Sequence, residues 1–221
     1  MSPGGAQAEA LRNGALGRPA ASVPRNLRCI SVASGKGGVG KTFVSVGLSH
    51  CLARMGRKVL LFDADLGLAN ADIQMGVDPR YTVQDVIFGR TTLEEAVAHV
   101  ENGPDLLPSS SGAAEMVEMG SARRQMFVDE LIQFAAQYDY LIIDVAAGIG
   151  QSITAFLSAS PEVIVVVANE PTSIMDAYAL IKTMRKSSTP PAITTVVNMV
   201  RTLDEGERLA GRLNGITKRF L

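Results

Sequence analysis

The feature that most narrows what this 221-residue chain can fold into is the run Gly35-Lys36-Gly37-Gly38-Val39-Gly40-Lys41-Thr42, set between an apolar stretch and a helical pattern. It fits GxxxxGK[ST], a spacing that works where a strand hands over to a helix. Glycine has no Cβ, so the backbone can turn tightly and bring its N–H groups against phosphate oxygens. Those donors, with the positive end of a helix beginning at Thr42, form a concave anion site. Lys41 then supplies a mobile ammonium for the β and γ phosphates, and the Thr42 hydroxyl a ligand for Mg²⁺. Average residue frequencies give an accidental match about once in a hundred chains of this length. Lys36 lies outside the general motif, and on spacing alone it reads as a solvated surface charge.

Five runs read as strands covered on both faces: Cys29–Ser34, Val59–Ala64, Tyr140–Asp144, Val163–Ala168 and Thr194–Asn198. Each is apolar almost throughout instead of alternating, as a parallel sheet packed by helices on both sides requires. Leu106–Leu107 is a weaker candidate, bracketed by Pro104 and Pro108. Helical patterns fill the gaps. Val44, Leu48, Cys51, Leu52 and Met55 share one face before a stop at Gly56, and Val128, Leu131, Ile132 and Ala135 repeat the spacing before the third run. Thr92 with Glu95 forms a capping box for a helix over Leu93–Val100. Strand and helix in alternation predict a doubly wound α/β fold with a mainly parallel sheet. Pro108–Gly112 and Ser187–Pro191 read as surface loops. Leu209, Leu213, Ile216 and Phe220, flanked by Arg208, Arg212, Lys218 and Arg219, have the pattern of a membrane-surface helix. Gly211, Gly215 and the position after the fifth run favour packing on the sheet instead.

Length and 47% hydrophobic content allow one sizeable core. Residues 27–221 are therefore expected as one domain behind a flexible arm, residues 1–26, rich in Ala, Gly and Pro. The arm lacks the apolar block of a signal peptide, and its scattered arginines leave an organellar presequence as a rival. Lys and Arg number 21 against 22 Asp and Glu, a formal charge of −1, so no direct nucleic-acid binding is expected. No apolar stretch approaches the roughly 20 residues that span a bilayer. Cys29 and Cys51 have no CxxC or Cys/His spacing, which argues against zinc or an iron–sulfur cluster and for two buried packing residues in a reducing cytosol. His50 and His99 read as ordinary helix-surface residues.

With Lys36 included, the loop resembles the deviant Walker A loop of the MinD/ParA ATPases. Three further stretches narrow the resemblance: Asp63-Ala64-Asp65-Leu66-Gly67-Leu68-Ala69-Asn70-Ala71-Asp72, Tyr81-Thr82-Val83-Gln84-Asp85-Val86, and Glu170-Pro171-Thr172-Ser173-Ile174-Met175-Asp176-Ala177-Tyr178. Together they are similar to the FlhG/FleN group, MinD-like regulators of flagellar number and placement, over about residues 28–221. MinD itself shares the loop and the Asp-x-Asp-x-Gly-Leu stretch but not the Glu-Pro-Thr-Ser block. The resemblance implies a P-loop NTPase of the MinD-like, SIMIBI class that binds ATP with Mg²⁺, hydrolyses it slowly, and forms a homodimer with two nucleotides sandwiched between the subunits.

In such a dimer Lys36 reaches the phosphates held by the other subunit, and the surface-charge reading gives way. The resemblance makes Lys36, Lys41 and Asp65 the catalytic set, with Asp65 orienting the attacking water. The nucleotide set runs through Gly35, Lys36, Gly37, Gly38, Val39, Gly40, Lys41, Thr42 and Phe43. To it are added Glu170, which touches the partner's nucleotide sugar, and Asn198, whose amide reads the adenine edge. Thr42, Asp63 and Asp144 are the Mg²⁺ candidates, with Asp63 alternatively capping the turn that follows it. Relatives usually read Asp-Thr-Gly-Ala-Gly where this chain has Asp144-Val145-Ala146-Ala147-Gly148, which alters switch II.

The partners implied are the GTPase FlhF, components of the flagellar C-ring and a flagellar transcription activator. Gln7-Ala8-Glu9-Ala10-Leu11-Arg12 resembles the group's FlhF-stimulating motif, with Ala6 at its usual leading Asp. The group carries a further strand and a membrane-binding helix beyond the part matched here, so a membrane surface is expected only if the natural protein has that helix. The expected location is cytoplasmic, or peripheral at the inner membrane or cell pole. Two alternatives stay open: a nucleotide-dependent scaffold with negligible hydrolysis, and a MinD/ParA-type positioning or DNA-segregation ATPase. An iron–sulfur carrier of the Mrp type is disfavoured by the missing paired cysteines.

Overall fold

Six strands in the order β3-β2-β4-β1-β5-β6, every neighbouring pair parallel, make the sheet of the computed structural model, which describes residues 23–65, 69–110, 120–148 and 150–220. They are β1 (Arg28–Ala33), β2 (Val59–Ala64), β3 (Asp105–Leu107), β4 (Tyr140–Val145), β5 (Glu162–Ala168) and β6 (Ala192–Asn198). The five expected strands are present with ends shifted by up to two residues, and Leu106–Leu107 joins them as part of β3. Because all strands are parallel, Ser34, Asp63, Asp144, Asn169 and Asn198 come together along one carboxyl edge. In open α/β sheets this edge is where ligands bind.

Helices cover both faces. The longer ones are α1 (Lys41–Arg54), α5 (Ser121–Phe134), α6 (Gln151–Ala159), α7 (Pro171–Arg185) and α8 (Leu203–Phe220). The short α2 (Ala71–Met75), α3 (Val83–Ile87) and α4 (Leu93–Ala96) lie between β2 and β3. On one face Leu60, Phe62, Leu141 and Ile143 pack with Phe127, Leu131, Phe156 and Ile174, and on the other Leu61, Val32 and Ile142 pack with Val46 and Ala71. Alternate residues of one strand thus enter two separate cores, which is why the strands read as unbroken apolar runs. Phe62 anchors the larger core, meeting Phe156 and Phe127 edge-on at 5.5 and 6.0 Å between centroids. Leu209 and Leu213 of α8 are buried in that same core, so this amphipathic helix packs on the domain.

Several expectations are corrected. The buried face of α1 is Lys41, Ser45, Val46 and Ser49, while Cys51 and Met55 are exposed. Small side chains at four-residue spacing carry this helix close to the sheet, and Val44, Leu48 and Leu52 pack at its flank. Cys29 alone of the two cysteines is buried. The helix expected over Leu93–Val100 stops at Ala96, because Ala98 pairs antiparallel with Leu106 through hydrogen bonds of 2.8 and 2.9 Å. Thr92 does accept from the Glu95 N–H at 3.3 Å, and the Glu95 carboxylate takes the Thr91 hydroxyl at 2.7 Å together with the Thr92 N–H. His99 therefore lies off the helix, its Nδ1 3.0 Å from Asp105. Finally, Pro108 and Ser109 are buried and Ser110 is exposed, while the rest of that expected loop lies outside the described residues. The stretch Gln7–Arg12, most of the N-terminal arm and Leu66-Gly67-Leu68 lie outside the described residues.

Candidate functional site

The loop between β1 and α1 depends on glycine at defined points. Gly38 and Gly40 have φ of 77° and 84°, in the left-handed region that side-chain-bearing residues seldom adopt. At Gly35 the constraint is space, since a Cβ there would overlap the Asp176 backbone on α7. The loop is thus pressed between α7 and the end of β6, where the Asn198 side-chain amide donates to the Val39 carbonyl at 2.9 Å. Asn198, expected to read a base, also braces the loop from below, and its Oδ1 remains to accept.

At the head of α1, Lys41 is only 6% exposed. Its Nζ lies 2.8 Å from Asp144 Oδ1 and 3.8 Å from Asp65 Oδ2. Asp144, one residue before the end of β4, has no exposed surface, and a second donor, the Ser45 hydroxyl, reaches the same Oδ1 at 2.8 Å. Asp144 Oδ2 is buried with no hydrogen-bond partner, as is the Ser34 hydroxyl that immediately precedes the loop. A buried carboxylate oxygen left unpaired is costly, and at a ligand site it marks a place for a cation or its bound water. Thr42 and Asp144 Oδ2 are hard oxygen donors of the kind Mg²⁺ takes. Together with a buried ammonium and a glycine loop, the residues present fit a magnesium-bound polyphosphate.

Asp63 pairs in register with Asp144 across β2 and β4. It was expected as a metal ligand, yet both its oxygens are engaged: Oδ1 by the Asp65 N–H at 3.0 Å, Oδ2 by those of Asn70 and Ala71 at 3.1 and 3.0 Å. Burial pushes its carboxyl up to about 6, with the Asp144 charge adding to the rise against the pull of the backbone donors. Its geometry is that of a clamp folding the segment after β2 back over the strand end. The Ser109 hydroxyl holds that strand end too, donating to the Asp63 carbonyl.

Lys36 has a different setting. It is half-exposed on the rim, paired with Glu170 and 3.4 Å from the Thr172 hydroxyl. Glu170 precedes α7, and Pro171 opens that helix. Phe43, in the first turn of α1, is 71% exposed. A further brace was not anticipated. Glu205 accepts from the Arg201 N–H at 2.9 Å and from the Asn169 side chain, tying α8 to the segments after β5 and β6. Thr202-x-x-Glu205 is a capping-box spacing, so that brace had a local signal. Ser45 and Ser109 had none. Among the described residues no cluster of three or more His, Cys, Asp or Glu is arranged for a metal, and no helix is long and apolar enough to cross a membrane.

Residues 27–195 match a family model described as an AAA domain. The chain is 42% identical to the antiactivator FleN of Pseudomonas aeruginosa over 88% of its length and 70% of that protein's. It is 37% identical to the flagellum site-determining protein YlxH of Helicobacter pylori, over 87% of this chain and 65% of that one. Among solved structures, MinD of Pyrococcus horikoshii in complex with Mg-ADP superposes with a TM-score of 0.72 at 30% identity, covering 84% of this chain and 76% of that one.

Proposed function

This chain belongs to the FlhG/FleN group of MinD/ParA-type P-loop ATPases, and from that premise we propose that it is an ATP-driven switch in flagellar regulation whose active form is a nucleotide-sandwich dimer. It is an ATPase that takes ATP with Mg²⁺. The observation that carries the reading is the contrast in lysine placement: Lys41 is buried against Asp144 at the floor of the loop, while Lys36 stands on the open rim. Lys36 is engaged with Glu170, away from its own subunit's phosphate floor, and is accessible to a second copy.

In this reading the loop N–H groups and Lys41 hold the phosphates, and Thr42 and the free oxygen of Asp144 hold the metal, directly or through water. Bound Mg²⁺ neutralises charge on the phosphate oxygens. Asp65, within 3.8 Å of Lys41, orients the attacking water. Lys36 acts across the dimer as an arginine finger does, an arrangement worth roughly 10³-fold in rate at the low end. Glu170 contacts the partner's nucleotide sugar, and Asn198 reads adenine with its free Oδ1. Partners of the dimer are the GTPase FlhF, C-ring components and a flagellar transcription activator, with the protein cytoplasmic or peripheral at the inner membrane or pole.

The altered switch II favours a second reading, a nucleotide-dependent scaffold with slow or negligible turnover, because Val145 is buried in β4 and brings no hydroxyl to the site. One experiment tests the sandwich dimer directly. Mass in solution should double with ATP and Mg²⁺ but not with ADP, and Lys36→Ala should bind nucleotide yet stay monomeric. An ATP-independent mass, or an unimpaired Lys36→Ala dimer, refutes the sandwich. Phosphate release measured with and without partner then decides between enzyme and scaffold.

A further inference from the structure

Ser45 lies one helical turn beyond Lys41 on the same face of α1, so both side chains project toward the end of β4. Its hydroxyl has one proton and two acceptors in range, Asp144 Oδ1 at 2.8 Å and the Lys41 carbonyl at 3.1 Å. The nearer acceptor carries charge and forms the stronger bond. A buried serine inside a helix ordinarily turns back to the carbonyl four residues earlier. Ser49, the next buried residue on this face, does so, donating to the Ser45 carbonyl at 2.8 Å. Ser45 instead crosses to another element, and both it and Asp144 have no exposed surface.

The consequence appears when phosphate arrives. Lys41 and Ser45 converge on one carboxylate oxygen, and the other stays free. A Lys41 ammonium drawn to phosphate leaves Oδ1 with Ser45 as its only remaining donor among the hydrogen bonds described. We propose that Ser45 is a positioning residue: it keeps the Asp144 carboxylate in one orientation through the exchange, so that Oδ2 still faces the Mg²⁺ position. The proposal rests on the ATP and Mg²⁺ reading of the site. Partners that orient a metal ligand typically govern metal affinity by about 10- to 100-fold.

The test compares Ser45→Ala with Ser49→Ala, its neighbour on the same buried face. A fluorescent ADP analogue is bound in EDTA and then across a MgCl₂ titration, with thermal melting recorded alongside. Ser45→Ala should raise the Mg²⁺ concentration at half-effect about tenfold or more, while binding in EDTA stays close to wild type. Ser49→Ala should move neither. Should Ser45→Ala fold poorly, Ser45→Cys keeps the volume with a weaker donor and should shift Mg²⁺ dependence in the same direction. An unchanged Mg²⁺ titration overturns the proposal. So does an equal loss with and without Mg²⁺, which would make Ser45 a packing residue. If the wild-type protein binds the analogue with no response to Mg²⁺, the parent reading of the site fails, and the role of Ser45 fails with it.

Discussion

Lys41 and Lys36 sit five residues apart in one loop and live in different media. Lys41 is walled in with Asp144, both nearly or wholly out of water, and Asp65 stands just beyond. Lys36 and Glu170 have side chains 39% and 53% exposed. A buried pair resists loss of one member, because the remaining charge has nowhere to go. An exposed pair contributes little and is screened by salt. The floor of the loop is therefore a fixed installation that exchanges its partner only for another anion, such as a phosphate. The rim is a reversible contact, suited to the change of partners proposed for Lys36.

The harshest way to break this contrast is Lys41→Ala. It should abolish nucleotide binding and destabilise the protein by about 3–5 kcal/mol, since Asp144 would be left buried without its cation. Chemical denaturation and nucleotide titration measure both. A loss of binding with unchanged stability would show that the floor is wetter than its geometry indicates. Asp65→Ala tests the part of the floor that faces outward, with 22% of its side chain exposed. We expect turnover to fall by about 100-fold or more, with ATP-dependent doubling of mass retained. Hydrolysis at the parental rate would remove Asp65 from the water-orienting role.

The contrast itself was only partly legible in the amino-acid order. Glycine spacing, the preceding apolar strand and Asp144 near its strand end are local patterns, and the fold brings Lys41 and Asp144 together at the floor. The doubly wound sheet followed from unbroken apolar runs for the same reason. Ser45 and Ser109 act on groups 99 and 46 residues away, and no period encodes such contacts. The α1 face was misjudged because large apolar residues suggested the buried side, whereas serines carry the close approach to the sheet. Pairing of Ala98 with Leu106 overrode the helical pattern after Ala96. The trans roles proposed for Lys36 and Glu170 rest on resemblance, since spacing alone points to a solvated charge.

The two cysteines extend the comparison from dry floor to wet exterior. Burial pushes the Cys29 thiol up to about 11, against a smaller opposing pull from its Ser160 contact. The unfolded thiol ionises near 8.5, so the native state holds this proton more tightly. That contribution to stability is fully present below about pH 8.5 and is lost as pH rises through about 11. It amounts to about 3 kcal/mol at most. Wild type should therefore lose more stability than Cys29→Ala between pH 8 and pH 11. At pH 8 an alkylating reagent should modify exposed Cys51 and spare Cys29 until the chain unfolds. Equal reaction at both would place water in the core at the amino end of β1.

The smallest effect is expected on the rim, and it discriminates most finely. Removing the charge of Glu170 should alter monomer stability by less than about 1 kcal/mol, because the Lys36 pair is exposed. For dimerisation two consequences oppose each other. Freeing Lys36 favours the partner-bound state by no more than the pair was worth, about fivefold. Losing a sugar contact in a dehydrated interface disfavours it by more, since hydrogen bonds to charged groups contribute about 1.5–3 kcal/mol. Glu170→Ala suffers both and should dimerise more weakly with ATP. Glu170→Gln keeps an acceptor while dissolving the ion pair, so it should dimerise as well as wild type or up to about fivefold better. Added salt should narrow the gap between wild type and Glu170→Gln, because screening does to the wild-type pair what the substitution does outright. If Glu170→Ala dimerises better than wild type, Glu170 is a latch on Lys36 alone and has no contact across the interface.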